Sequence, residues 1–149
     1  MRILIVEQGL TLAMLSLALT GCGKERGRVP FSGEGTGSVS VSLEAGDVSF
    51  WSDIDVKYEG SAALNYRIEL AQAGVKVADA VCDPLGQMNI KVGWIETQFG
   101  SSFSRRGTGK MNCSASLPKA GLTTVQAALA FGSKPTSFTL NKADLIVKQ

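Results

Sequence analysis

The feature that most constrains the fold of this chain is a two-residue alternation of apolar and polar side chains over residues 38–149. In the segment DVSFWSDIDVKYE, apolar residues such as Val48, Phe50, Val56 and Tyr58 occupy even positions, while most odd positions are polar or charged. Successive side chains of a β-strand point to opposite faces, so this period predicts a strand with one buried face and one wet face.

The same alternation recurs along the rest of the chain. LNYRIEL is followed by AQAG and VKVADAV, which predicts a hairpin over residues 64–81. Residues 47–59 are expected to form one long strand, or two strands bent near Ser52. Further strands are predicted for GSVSVSL, MNIKVGW, MNCSASL, TTVQAALAF and SFTLNKADLIVKQ. About eight short strands predict an all-β fold, either an antiparallel β-sandwich or a jelly roll, although this spacing also fits a small barrel.

The N-terminus has the layout of an export signal. Arg2 precedes an apolar stretch whose uninterrupted part, residues 10–19, is shorter than the roughly 20 residues needed to cross a bilayer. It is followed by Leu19-Thr20-Gly21-Cys22, which resembles the lipobox of bacterial lipoproteins. In that family the signal peptidase cuts before the cysteine, and the cysteine sulfur carries a diacylglycerol.

The lipobox resemblance implies an organisation in three parts. Residues 1–21 are expected to be a signal peptide, and residues 22–37 a lipidated Cys22 followed by a glycine-rich flexible tether. Residues 38–149 then form the single folded domain. Because Gly23 rather than aspartate follows the cysteine, the resemblance points to the outer membrane. The expected location is therefore extracytoplasmic, on a bacterial membrane held through acyl chains.

Two cysteines remain once Cys22 is assigned to lipidation. Cys82 and Cys113 both lie in the predicted domain. Disulfides form and persist in oxidising compartments outside the cytoplasm, so we expect these two to pair rather than to remain free buried thiols.

Composition excludes several classes of function. The chain carries 15 basic and 13 acidic residues, a net charge of +2, which does not indicate nucleic-acid binding. It has no histidine, the most common general base and metal-binding imidazole. No nucleophile has a recognisable base in the sequence, so we expect neither enzymatic activity nor a cofactor.

No metal site is expected, although the acidic residues could supply a structural calcium site, since calcium prefers six to eight oxygen ligands. The spacing of the acidic residues matches no EF-hand loop, and alternate carboxylates on a strand are normally its solvated face. The candidate ligands are Glu44, Asp47, Asp53, Asp55, Asp83 and Asp144.

The stretch GSSFSRRGTGKM suggests a phosphate-binding loop, but it does not match one. Ser104 and Met111 stand where that motif requires glycine and a hydroxyl residue, so no nucleotide is expected. We predict instead a basic, glycine-rich loop over residues 100–112 that contacts an anionic partner. A solvated hairpin tip is the alternative. The candidate binding residues are Arg105, Arg106 and Lys110.

A second candidate surface centres on Trp51. This residue shares the predicted outer face of its strand with Asp53 and Asp55, and an exposed tryptophan beside carboxylates is typical of a sugar-stacking platform. The alternative is that Trp51 and Trp94 are core or interface aromatics.

These observations lead to three functional hypotheses. The first is a lipid-anchored binding or structural module of the cell envelope, which contacts an envelope protein, a glycan or an anionic ligand through the basic loop. The second is a carbohydrate-binding module that uses Trp51. The third is an envelope inhibitor or immunity lipoprotein.

Overall fold

The computed structural model of the chain describes residues 23–149, which form β-strands and their connections. Residues 1–22, with the predicted signal peptide and Cys22, lie outside the described residues. The strands are β1 (Glu25–Val29), β2 (Gly35–Leu43), β3 (Gly46–Glu59), β4 (Ala63–Gln72), β5 (Val75–Cys82), β6 (Lys91–Phe99), β7 (Ser102–Leu117), β8 (Gly121–Ser133) and β9 (Ser137–Lys148).

The strands build two antiparallel sheets that pack face to face. The larger sheet has the order β1-β9-β3-β7-β6 and the smaller sheet the order β2-β8-β4-β5. The predicted antiparallel β-sandwich is confirmed, with nine strands rather than eight. The barrel alternative is wrong, because the strands form two separate sheets. Within residues 23–149, no helix is long and apolar enough to cross a membrane.

The core lies between the inner faces of the sheets, as the alternation predicts. Residues 46–59 form a single strand with a bulge beside Phe50, not two strands bent at Ser52. The hairpin predicted over residues 64–81 is formed by β4 and β5, which turn at Ala73 and Gly74 with φ angles of 50° and 77°. Positive φ carries no steric cost for Gly74 but is unfavourable for Ala73, which the two-residue turn holds in that region.

One polar contact joins the two sheets inside the core. The hydroxyl of Tyr66, on β4, donates to the carbonyl of Ala143 at 2.8 Å and lies 2.9 Å from Ser52 Oγ. Burial raises the pKa of Tyr66 above its ordinary value. The buried hydroxyl is thus paired rather than left as a desolvated polar group.

The predicted disulfide is confirmed. Cys82 on β5 and Cys113 on β7 are bonded, with their Cα atoms 5.5 Å apart. Because β5 and β7 belong to different sheets, the bond connects the sheets covalently on one side of the sandwich.

The segment predicted to be a flexible tether, residues 22–37, contains strand β1 and the start of β2, so that prediction is wrong for residues 25–29 and 35–37. β1 pairs with β9, and Val29 is buried in the core. The segment resembles a linker in sequence because its large apolar residues are few: Val29 and Phe31, both buried in the structure. Gly27 has a packing role: a Cβ there would lie 2.6 Å from Val41 Cγ1, so glycine lets β1 approach β2.

The sandwich has two ends that differ in composition. We call basal the end with Gly23, Gln149 and the β2–β3, β4–β5 and β7–β8 connections, and apical the end with the β1–β2, β3–β4, β6–β7 and β8–β9 connections. β3 has 14 residues and runs between the two ends. At 3.3 Å per residue, the basal and apical ends are about 45 Å apart.

Candidate functional site

The predicted basic loop is not a loop, and this expectation is wrong. Residues 102–117 form β7, and only Gly100 and Ser101 remain as a tight turn after β6. On one side, β7 pairs with β3 from Ser102, opposite Glu59, to Leu117, opposite Gly46. On the other side, the first half of β7 pairs with β6. Backbone pairing on both sides holds this Gly- and Ser-rich stretch extended.

The three basic residues of this stretch do not converge. Arg105 faces inward, where Nη1 donates to the Leu85 carbonyl at 2.6 Å and Nε lies 3.1 Å from Glu96 Oε1, an ion pair without good hydrogen-bond alignment. Arg106 is exposed on the outer face, and Lys110 lies on the same face four residues away, about 13 Å along the strand. A small anion cannot contact all three side chains at once.

Trp51, Asp53 and Asp55 lie on the outer face of β3, as predicted, but the tryptophan is not exposed. Its side chain is 1% exposed, and Lys148 Nζ lies 3.9 Å from the ring centroid. Its buried Nε1 has no hydrogen-bond partner among the described residues. The expectation of an exposed stacking ring at Trp51 is therefore wrong, because stacking needs a free ring face.

Trp94, the other tryptophan, is half-buried on β6. Its Nε1 donates to Glu96 Oε2 at 3.2 Å, and Lys91 Nζ lies 5.1 Å from its ring centroid. Both polar neighbours lie on the same strand, so they hold the ring against its own strand.

Asp53 belongs to a charged cluster on the outer face. Arg28 Nη1 lies 3.1 Å from Asp53 Oδ2 and 3.1 Å from Asp144 Oδ2, and Lys142 Nζ lies 2.7 Å from Asp53 Oδ2. Partial burial opposes ionisation of Asp53, but hydrogen bonds from Lys142 and Arg28 outweigh it and leave the pKa of Asp53 below its ordinary value. The hydrogen bond to Glu25 is the main cause that raises the pKa of Arg28.

The candidate calcium ligands are not assembled. Within residues 23–149, no three acidic, cysteine or histidine side chains come together in a group that could hold a metal ion. Asp53 and Asp144 are paired with basic side chains, and Asp83 Oδ1 accepts from the Leu85 amide at 2.8 Å.

The structure reveals a different candidate site along β6. This strand is the outermost of the larger sheet, so one side of its backbone has no strand partner among the described residues. Three large apolar side chains project from it: Val92 is 60% exposed, Ile95 53% and Phe99 91%. A long edge strand with exposed apolar residues is a template for pairing with another chain.

Sequence reasoning missed this site because β6 lacks a buried face. Exposure on both faces leaves no apolar–polar alternation to detect. The available signal was Phe99, a large aromatic residue directly before the Gly100–Ser101 turn, where exposure is the usual outcome.

A groove lies beside Phe99 at the apical end of the larger sheet. It encloses about 270 Å³ and is lined by hydroxyl groups, one cation, one carboxylate and aromatic surface. Beneath it, the Tyr58 ring stacks between Phe103 and Phe138, with centroid distances of 5.2 and 5.8 Å. The lining includes Lys57, Glu59, Thr97, Phe99, Ser104 and Thr139.

No protein-family model, curated protein or solved structure matches this chain. Function is therefore inferred from the residues and their arrangement alone.

Proposed function

We propose that this protein is a lipid-anchored binding module of the bacterial cell envelope, on the outer membrane, that captures an extended segment of a partner protein along β6. The lipobox-like residues 19–22 supply the anchor at Cys22. The Cys82–Cys113 disulfide fits an oxidising compartment outside the cytoplasm.

The free edge of β6 carries the proposal. Addition of a partner strand satisfies backbone groups along that edge and covers Ile95 and Phe99, so affinity comes from the main chain and selectivity from alternate side chains. Glu96 lies on the opposite face of β6 from Ile95 and Phe99, where its carboxylate accepts from Trp94 and pairs with Arg105, and there it offers an acceptor to a basic residue of the partner strand.

The lipid anchor is tested by metabolic labelling with a palmitate analogue. The wild-type chain is expected to incorporate the label and lose its signal segment, and Cys22→Ala to do neither. Cys82→Ala/Cys113→Ala is the matched control and should still be labelled. Labelling of the Cys22→Ala protein would contradict the assignment of the anchor.

The binding site is tested by photo-cross-linking in intact cells. A photoreactive residue at position 99 should form a discrete adduct, and Ile95→Lys should abolish that adduct because a charged lysine blocks edge pairing. Arg67, exposed on the smaller sheet, is the control site and should give no adduct. An adduct that survives Ile95→Lys would show that β6 is not the contact.

The apical groove favours a second candidate, binding of an envelope glycan. Phe99 offers an exposed ring beside Ser104 and Thr139, which is the combination of stacking surface and hydroxyl groups that sugar recognition uses. In calorimetric titration with envelope polysaccharides, Phe99→Ala should abolish binding, whereas Arg67→Ala on the smaller sheet should not. Binding that is unchanged by Phe99→Ala would eliminate this candidate.

A further inference from the structure

The start of the described chain is fastened directly to the basal end. The Lys24 amide donates to the Gln149 carbonyl, and the Gln149 amide donates to the Lys24 carbonyl, both at 3.1 Å. The Gln149 side chain accepts from the Glu44 amide at 2.6 Å and donates to the Glu44 carbonyl at 2.8 Å. Cys22 directly precedes Gly23 in the sequence, so the proposed anchor is attached at this end of the sandwich.

The three connections of the basal end share a composition. Each contains an Ala-Gly pair, at residues 45–46, 73–74 and 120–121, and the exposed charged side chains within the connections are Glu44 and Lys119. Val75 and Leu122 flank these connections and are 64% and 66% exposed. The basal end thus exposes two large apolar side chains among small ones.

Hydrogen bonds hold two of these connections together as one surface. Gln72, at the end of β4, is buried, and its Nε2 donates to the Lys119 carbonyl at 2.9 Å and to Thr123 Oγ1 at 3.2 Å. The β4–β5 and β7–β8 connections are therefore fixed relative to each other, with Val75 and Leu122 on either side.

Positive charge accompanies the apolar residues. Lys24 and Lys119 are exposed at the basal end and make no ion pair with any described residue. Lys76 is paired with Asp79 at 2.6 Å, and Glu44 and Asp47 add two carboxylates at the same end. The basic surface is therefore local to Lys24 and Lys119 rather than spread over the whole end.

We infer that the basal end rests on the surface of an anionic bilayer, with Val75 and Leu122 entering the interfacial layer and Lys24 and Lys119 against the head groups. This inference rests on the proposed anchor at Cys22. Apolar side chains beside lysines are the combination that binds a protein surface to anionic lipid. Docking in this way orients the sandwich, and it holds Phe99, at the apical end of the β6 edge, about 45 Å from the lipid.

The test uses the lipidated protein in vesicles of phosphatidylethanolamine and phosphatidylglycerol, followed by hydrogen exchange and mass spectrometry. Compared with the protein in detergent, amides of the three basal connections should exchange about tenfold more slowly in the vesicles. The apical turn at residues 100–101 should be unchanged. Vesicles of phosphatidylcholine alone should protect the basal amides less, because the lysines lose their anionic partners.

A matched pair of variants separates docking from general hydrophobicity. Val75→Asp/Leu122→Asp should lose the basal protection, whereas Val92→Asp/Ile95→Asp, which alters two apolar residues of similar exposure on β6, should keep it. Equal protection in both variants, or none in the wild type, would overturn the inference. Flotation with the vesicles reports the anchor separately: a protein that floats without basal protection is anchored but not docked, and one that does not float lacks the proposed anchor.

Discussion

The basal and apical ends of this sandwich close the same two sheets in different ways. Basal connections are short, built on Ala-Gly pairs, and tied to their neighbours by Gln72 and Gln149. Apical connections are richer in serine and proline, and they border a groove next to the most exposed aromatic residue, Phe99. One end is therefore closed by short connections tied together, whereas the other offers a groove beside an exposed aromatic ring.

The disulfide gives the largest expected effect, because it fastens the sheets on the side from which β6 extends. Its two cysteines are separated by 31 residues, so Cys82→Ala/Cys113→Ala should lower the free energy of unfolding by about 3–4 kcal/mol. Denaturant unfolding measures this difference. Reduction of the wild-type protein should give the same shift, and a shift below about 1 kcal/mol would show that packing alone holds the sheets together.

The basal hydrogen bonds should matter more to stability than a comparable apical one. Gln72→Ala leaves buried acceptors at Lys119 and Thr123 without a donor, and should cost about 1–2 kcal/mol in urea unfolding. Glu34→Ala is the apical counterpart, since Glu34 Oε1 accepts from the Phe131 amide at an exposed position, and should cost about 0.5 kcal/mol. If both substitutions lower the free energy of unfolding equally, the basal end is not held together more strongly than the apical end.

The charged cluster between the two ends predicts a dependence on pH. The pKa of Asp53 is lowered in the folded state, so its contribution to stability is complete above its unfolded value of 3.8 and is lost as pH falls below that value. Asp53→Asn should cost about 1 kcal/mol at pH 7 and less at pH 3. Urea unfolding of both proteins at the two pH values checks this. A cost that is the same at both would contradict a role for ionised Asp53.

The smallest expected effect on stability is at the apical end. Phe99→Ser removes a side chain that is 91% exposed, so thermal unfolding should change by less than about 0.5 kcal/mol. A larger loss of stability would show that Phe99 supports the fold rather than being available for a partner.

Much of the fold was predictable because its signal is local. Most of β3 and β4 alternates, so most of their inner faces follow from the sequence alone, and an exported domain with two remaining cysteines predicts their pairing. The failures share one cause. β1 and the first half of β7 lack a fully apolar face, and they became strands because β9 and β3 supplied the neighbouring backbone.

The candidate sites were harder to predict than the strands. The alternation correctly placed Trp51 on the outer face of β3, but it gave no sign that the ring is buried there. It also grouped Arg105 with Arg106, although their side chains point to opposite faces of the strand. For Phe99, the only sequence feature that indicated exposure was its position directly before the Gly100–Ser101 turn. Exposure depends on which other segments lie against a residue, and that information is distributed over the whole chain.

The all-β class, the inward positions of the regular strands and the pairing of Cys82 with Cys113 all follow from the sequence. Three features depend on the folded arrangement: residues 25–29 and 102–110 are strands, Trp51 is covered, and β6 has a free edge. The difference comes from the range of the interactions. Side-chain alternation is a property of each strand, whereas backbone pairing depends on neighbours that are distant in sequence.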